Sequence, residues 1–249
     1  MFAATMTDRS TDPFLGRLLD EASRPYRTAG RFAYHFSRGK LGSDCIFREL
    51  LRLGVFPPAG RFLDLGCGQA VFASWLLAAR RLYEQKDWPP GWPEPPQIQE
   101  LRGFELMAKE VRRANVALAD CEPRIAVRQG DICRTQFGRA DVVTILDVFQ
   151  YIDYAGQEDV LRRARAALAP GGLLLTRVGD ADGGLRYHVC DWVDRAVTFV
   201  RGHRLPTLYW RRLSEWLALL RQLGFDVETM PMSHGKPFAN VMLIARLPV

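Results

Sequence analysis

The segment FLDLGCGQA at residues 62–70 constrains the fold of this chain more than any other. It begins with apolar residues, as a buried strand does, and Gly66 and Gly68 then allow a sharp turn without a Cβ between backbone and ligand. The apolar residues from Val71 to Ala79 repeat at helical spacing. The segment therefore predicts a strand that turns directly into a helix with free N–H groups, an arrangement typical of nucleotide binding.

Two classes of nucleotide cofactor use such a turn, and the neighbouring residues separate them. The dinucleotide fingerprint requires a glycine or alanine three residues after Gly68, where this chain has Val71. Asp64 stands two positions before the first glycine. A carboxylate there repels a pyrophosphate and suits a ligand with a cationic amino-acid end.

This pattern resembles motif I of the class I S-adenosylmethionine (SAM) dependent methyltransferases. Many members carry a third glycine where this chain has Ala70. The resemblance, which extends over about residues 50–247, implies SAM as the cofactor, with Asp64, Gly66 and Gly68 in its site. It also implies an α/β fold with a doubly wound, seven-stranded, mostly parallel Rossmann-like sheet.

Acidic residues follow three further predicted strands. Glu105 ends the second strand, where a carboxylate can accept both ribose hydroxyls of a nucleotide. The resemblance implies that Asp131 receives the adenine amino group and that Ile132 covers the ring. Asp147, after the fourth strand, is expected at the methionyl ammonium.

The rest of the pattern completes the sheet. Apolar runs predict further strands, and the last two are expected to be antiparallel because their connection is too short for a crossover. These strands are expected at 140–146, 173–178, 225–230 and 241–247, after a third strand at 125–128.

The chain is expected to divide into an amino-terminal helical lid segment, 1–54, and a methyltransferase domain, 55–249. The domain carries two predicted insertions. The first, at about 84–100, is rich in proline and cannot be regular structure, and its tryptophans suggest packing on the body or on a partner. The second, at 179–209, contains an amphipathic helix over 189–200.

Residues 147–151 restrict the chemistry. Methyltransferases that act on amino groups of adenine or glutamine carry an Asn/Asp-Pro-Pro-aromatic run here, and this chain lacks those prolines. No cysteine stands at these five positions, so the nucleophile for covalent attack on cytosine is missing there. What remains resembles the small-molecule branch, with O- or C-methylation of an aromatic or phenolic compound as the expected reaction.

An oxygen acceptor, or a phenol-activated carbon, requires removal of a proton. The candidate bases are His35, His188 and His203, and Tyr151 can orient the substrate. His35 ranks first because it lies among aromatic and basic residues in Arg24–Asp44, a segment that shows no clear period and is interpreted as lying outside the core. Within it, Arg24–Lys40 is interpreted as a substrate lid.

Part of that segment, TAGRFAYHFSRGKLG, also resembles methyltransferases of bacterial aryl-polyene pigment pathways. This resemblance implies an aromatic acceptor held on an acidic carrier protein, a partner that suits basic lid residues.

Charge leaves other functions open. The net charge of +6 and pI near 9.3 fit nucleic acid, an acidic protein or anionic lipid, and equally fit arginines spread along helix faces. An RNA methyltransferase is the alternative, against which no RNA-binding module is recognisable, and DNA is not expected. A SAM-binding scaffold without turnover is the non-enzymatic alternative.

Cysteine usage and the terminus indicate the compartment. The five cysteines are scattered without zinc-ligand spacing, so a reducing cytoplasm is expected and a metal is not. The amino terminus lacks the pattern of a signal peptide, and no apolar run approaches the length of a membrane span.

Overall fold

Seven strands form one sheet in the order β3-β2-β1-β4-β5-β7-β6. The computed structural model describes residues 12–121, 124–179, 181, 207–232 and 240–249. Within them, the strands are β1 (Ala59–Leu65), β2 (Gln97–Glu105), β3 (Ile125–Gln129), β4 (Ala140–Leu146), β5 (Leu168–Gly179), β6 (Asp226–Pro231) and β7 (Asn240–Arg246). The helices are α1 (Pro13–Ser23), α2 (Arg31–Ser43), α3 (Cys45–Leu53), α4 (Val71–Glu84), α5 (Ala108–Ala117), α6 (Tyr154–Ala167) and α7 (Leu213–Gln222).

The sheet is doubly wound around β1. Strand β1 pairs in parallel with both β2 and β4, while β7 runs antiparallel to β5 and β6. This confirms the predicted doubly wound, seven-stranded sheet, including the antiparallel last pair. Since the chain winds away from β1 in both directions, a crevice opens at the carboxyl ends of β1 and β4, where sheets of this kind bind ligands.

Both faces of the central strands are apolar, so these strands divide their side chains between two layers. Buried hydrophobic side chains form two clusters. In β5, Leu173 and Leu175 belong to the cluster that includes residues of α1 to α4, whereas Leu174 belongs to the cluster that includes residues of α6 and α7. This alternation is the period-two pattern of a strand covered on both sides.

The amino-terminal helices contribute to the core. Phe14 and Leu18 of α1 are buried, and Tyr26, in the short 3-10 turn that follows, is fully buried. The interpretation of Arg24–Asp44 as lying outside the core is therefore wrong for Tyr26, as it is for Ala33 and Leu41 of α2. Tyrosine tolerates burial when its hydroxyl finds a partner, and this hydroxyl donates to a main-chain oxygen at 2.7 Å.

The proline-rich insertion is shorter than predicted. Strand β2 begins at Gln97, so the irregular segment spans 85–96. The rings of Trp88 and Trp92 meet the ring of Phe14 edge-on, at centroid distances of 5.3 and 5.6 Å. The tryptophans thus pack on the body, one of the two predicted alternatives.

Most of the second insertion, including the predicted helix over 189–200, lies outside the described residues, as do His188 and His203. In the part of the chain that is described, no helix has both the length and the apolar character needed to cross a bilayer.

Candidate active site

A cavity of about 800 Å³ opens at the carboxyl edge of the sheet. The segments that follow β1, β2, β3 and β4 form its floor, and side chains of α2 and α3 form a wall. From these two helices the cavity is lined by Phe36, Lys40, Ile46 and Phe47.

The glycine-rich turn after β1 curls over the end of β2. Gly66 and Cys67 donate their N–H groups to the carbonyl of Phe104, at 2.8 and 3.2 Å. Gly66 has φ +75°, and a Cβ there would stand 2.4 Å from a methyl group of Val148, so only glycine fits. Gly68, at φ +56°, has nothing within 4 Å of the position of a Cβ, which leaves space for a ligand against the backbone.

Ala70 closes this turn in a left-handed conformation, with φ 56°, at a position that is fully buried. A residue with a Cβ pays about 1–2 kcal/mol for that conformation. Tyr26 constrains the preceding residue, because its hydroxyl donates to the main-chain oxygen of Gln69 at 2.7 Å. The amino-terminal segment therefore helps to hold the turn.

Asp64 lies at the base of the turn and lines the cavity. Its side chain is buried, and Oδ1 accepts a hydrogen bond of 2.7 Å from the hydroxyl of Thr144. Burial raises the pKa of Asp64 to about 7, the charge of Glu105 adds to the rise, and the bond from Thr144 opposes it.

Glu105 connects two turns. Its Oε2 accepts from the N–H of Gly68 at 3.0 Å, and its Oε1 accepts from the N–H of Met107 at 2.8 Å. Each oxygen keeps a second lone pair for a ligand. After β3, Oδ1 of Asp131 accepts from the N–H of Cys133 at 2.9 Å, and the buried side chain of Ile132 lines the cavity beside it.

Asp147, after β4, belongs to an ion network that the sequence analysis missed. The guanidinium of Arg177, which is only 4% exposed, contacts both oxygens of Asp147 and both oxygens of Asp44. Lys40 adds contacts of 2.8 Å to Asp44 and 3.1 Å to Asp147. Two carboxylates and two cations thus join α2 and α3 to β5 and to the segment after β4.

The network keeps its carboxylates ionised. Burial would raise the pKa of Asp44 and of Asp147, but Arg177 and Lys40 outweigh it and hold both pKa values below the usual range. One signal was available in the sequence, since Arg177 interrupts the apolar run of β5 and a buried arginine needs carboxylate partners.

A family model described as a methyltransferase domain matches residues 39–230, well over half of the chain. The chain belongs to this methyltransferase family. A search of curated proteins finds no match.

Solved structures show the same fold at low identity to this methyltransferase. An O-methyltransferase family protein from Burkholderia thailandensis is 18% identical, with TM-score 0.63, and the match covers 95% of this chain and 68% of that one. The magnesium protoporphyrin IX methyltransferase of Synechocystis PCC 6803, with bound SAH, is 15% identical at TM-score 0.57, covering 95% and 100%. The [4+2]-cyclase SpnF is 17% identical at TM-score 0.57, covering 84% and 82%.

In this methyltransferase, most of the residues predicted for the site come together. They share the lining of the cavity: Asp64, Gly66, Gly68, Glu105, Asp131, Ile132, Asp147 and Tyr151. Their individual roles stay predictions.

His35 is not brought to the cavity. Its side chain is exposed on α2, its ring packs against Tyr34 at 5.3 Å, and the residues of α2 that line the cavity are Phe36 and Lys40. Those two are one helical turn apart and share a face that His35 does not share. The expectation that His35 is the leading base thus loses its geometric basis, and His188 lies outside the described residues.

The ionisable side chains of the lining are mostly acidic. The carboxylates are Asp64, Glu105, Asp131, Asp147 and Asp153, and the cations are Lys40 and Arg177. Both cations are already paired with carboxylates. Within the described residues the cavity therefore favours a ligand with positive charge.

Proposed function

We propose that this methyltransferase transfers the methyl group of SAM to oxygen or carbon of a small aromatic or phenolic acceptor. The observation that carries the proposal is the acidic cavity at the glycine-rich turn. SAM, when bound, supplies an electrophilic methyl group on a positively charged sulfur. The chain's own residues then bind both reactants, align the acceptor with the methyl group and exclude water.

The lining residues at and near the glycine-rich turn suit SAM. Gly68 offers open backbone, and Asp64 offers a buried carboxylate for an ammonium group. Glu105 is held by two main-chain N–H groups and has lone pairs left for ribose hydroxyls. A pyrophosphate cofactor would meet carboxylates here without a free cation among the described lining residues.

The aromatic side chains of the cavity lining suit a small acceptor. Phe36, Phe47 and Phe72 line the cavity together with Tyr151. Aromatic side chains offer apolar faces against which an aryl ring can stack. A cavity of about 800 Å³ lies in the range of small-molecule sites, about 300–1,000 Å³.

Alignment of the acceptor is the main catalytic task. Holding two reactants in line removes much of the entropic barrier to a displacement reaction. Tyr151 is our candidate for orienting the acceptor oxygen, because it is the phenol that lines the cavity among the described residues. The proton acceptor is sought at His188 or His203, because the side chain of His35 is exposed and lies outside the described lining of the cavity.

An acidic carrier protein remains the proposed means of delivering the acceptor. The net charge of +6 supports an acidic partner. The same positive charge also suits RNA, so RNA methylation is one outcome of the labelling experiment below.

Calorimetric titration tests the cofactor. SAM and its demethylated product S-adenosylhomocysteine (SAH) should bind, and NAD should not. Glu105→Gln keeps the size of the side chain and removes its charge, so SAM should bind about tenfold more weakly, as expected for loss of a hydrogen bond to a charged group. Unchanged affinity in Glu105→Gln would remove this residue from the site.

Incubation with methyl-labelled SAM tests the acceptor. The panel contains phenolic acids, carrier-bound aryl acids and total RNA. Label in a phenolic or aryl compound supports the proposal, and label in RNA refutes it. No label anywhere, despite tight SAM binding, favours a scaffold without turnover.

A further inference from the structure

Gln69, within the glycine-rich turn, has a buried side-chain amide that no described residue hydrogen-bonds. The residue is 1% exposed and lines the cavity. Neither its side-chain nitrogen nor its side-chain oxygen has a hydrogen-bond partner among the described residues. Its main-chain oxygen, by contrast, is held by the hydroxyl of Tyr26 at 2.7 Å.

A second buried glutamine shows how this chain treats an amide that serves only structure. The side chain of Gln157 is fully buried, and its Nε2 donates to the carbonyls of Phe149, Ile152 and Tyr209 at 2.9–3.0 Å. Its Oε1 accepts from Arg211 at 2.7 Å. Every polar atom of that amide has a partner, as buried polar groups in folded proteins normally do.

An unpaired buried amide costs stability, so its retention beside a cavity points to a ligand. The amide offers a donor and an acceptor side by side. A ligand that carries a carboxylate and an ammonium on one carbon complements both groups. Asp64 lines the same cavity and supplies negative charge for the ammonium.

We infer that Gln69 binds the zwitterionic amino-acid end of the cofactor. This inference rests on the proposed function, because it takes SAM as the ligand of the cavity. The hydroxyl of Tyr26 bonds the main-chain oxygen of Gln69 and so fixes the backbone of this residue. Because this bond does not use the side chain, the amide is available to the ligand.

Gln69→Leu tests the inference by calorimetry and thermal unfolding. SAH should bind about tenfold more weakly, because hydrogen bonds to its charged groups are lost. 5′-Methylthioadenosine, which keeps the adenosine and the thioether but lacks the amino-acid end, should bind with unchanged affinity. The ligand-free variant should melt at a higher temperature than the wild type, since an unpaired amide is replaced by an apolar side chain of similar volume.

Gln157→Leu is the matched control. It should melt at a lower temperature than the wild type, because it removes an amide that has all its partners and leaves them unpaired. Gln69→Met provides a second apolar substitution of similar length should the leucine variant fail to fold.

Three results would overturn the inference. They are unchanged SAH affinity in Gln69→Leu, an equal loss of affinity for SAH and 5′-methylthioadenosine, and a fall in melting temperature like that of Gln157→Leu. A wild-type protein that binds neither ligand would instead refute SAM as the cofactor, and this distinguishes failure of the proposed function from failure of the role of Gln69.

Discussion

The hydroxyl of Thr144 on β4 donates to Oδ1 of Asp64 at 2.7 Å, and both side chains are buried between adjacent strands. This one bond does not offset burial, which raises the pKa of Asp64 to about 7. A substantial fraction of the ligand-free protein therefore carries a protonated Asp64 at neutral pH.

Binding of SAM should consequently strengthen as the pH rises from about 6 to about 8, across the raised pKa of Asp64. The ammonium group of SAM favours the ionised form of Asp64. Below the pKa of Asp64, this carboxyl must therefore release its proton when SAM binds. Calorimetry over this range measures the slope. Asp64→Asn should bind weakly and without this pH dependence, and a flat wild-type profile would contradict the assignment.

The same shift predicts a stability profile for the ligand-free protein. Since the folded state holds the Asp64 proton more tightly than the unfolded state, folding takes up a proton between the usual pKa of 3.8 and about 7. The contribution of Asp64 to the free energy of unfolding therefore falls as the pH rises through that window. Urea titrations of the wild type and Asp64→Asn should differ in slope there.

Tyr26→Phe should weaken the glycine-rich turn while keeping the packing of the ring. Loss of the hydroxyl leaves the main-chain oxygen of Gln69 unpaired, at a cost of about 1–3 kcal/mol in the free energy of unfolding. In an Ala70→Gly background the cost should be smaller, because glycine adopts the left-handed conformation without the tether. Denaturant unfolding of the four proteins measures the coupling, and strictly additive effects would argue against it.

Asp44→Asn should be strongly destabilising. It leaves Arg177 and Lys40 with Asp147 alone, and removing one partner of a buried ion pair costs about 3–5 kcal/mol. Asp44 also caps α3 by accepting from the N–H of Ile46 at 3.2 Å, and asparagine can take over this cap. The control is Asp87→Asn, which breaks the exposed pair with Arg17 and should cost less than about 1 kcal/mol. Equal effects of the two substitutions would show that the network adds nothing to stability.

Deletion of residues 1–40 should unfold the protein, because it removes Phe14, Leu18 and Tyr26 from the core. Leu18→Ala alone should cost about 2–5 kcal/mol. Leu15→Ala, at a half-buried position of the same helix, should cost less. Circular dichroism melts measure all three, and a deletion variant that melts like the wild type would refute the structural role of α1.

His35→Ala should leave kcat/KM for the acceptor close to the wild-type value, since the side chain is exposed and away from the cavity lining. Tyr151→Phe, which keeps the ring and removes the hydroxyl, should lower kcat by about 10²-fold or more if that hydroxyl orients the acceptor. A large loss in His35→Ala would instead restore it as the base.

The sequence predicted the features that depend on local pattern. A strand ending in Asp64-Leu65-Gly66 and acids at the ends of later strands suffice to place Asp64, Glu105 and Asp131 at one edge, because carboxyl ends of parallel strands lie together.

The missed features depend on contacts between distant residues or on a helical face. Arg177 and Asp44 are far apart in the sequence, so no local pattern pairs them. The polar hydroxyl of Tyr26 favours a surface position, so the sequence does not indicate that this residue is buried. The position of His35 outside the described lining depends on the face of a helix, since the helical spacing of Phe36 and Lys40 places these two on a different face from His35.

Arg177 and Asp44 are 133 positions apart in the chain. The ion network thus fixes the wall formed by α2 and α3 to the sheet only when β5 has joined it, after a long loop has closed, and such closures make folding slow. A chain without β5 in place lacks the part of the lining that Arg177 supplies, so a ligand that needs the whole cavity binds only the native state. Saturation with such a ligand should therefore slow unfolding and leave the folding rate unchanged, and at one hundred times Kd it should add about 2.7 kcal/mol to the free energy of unfolding.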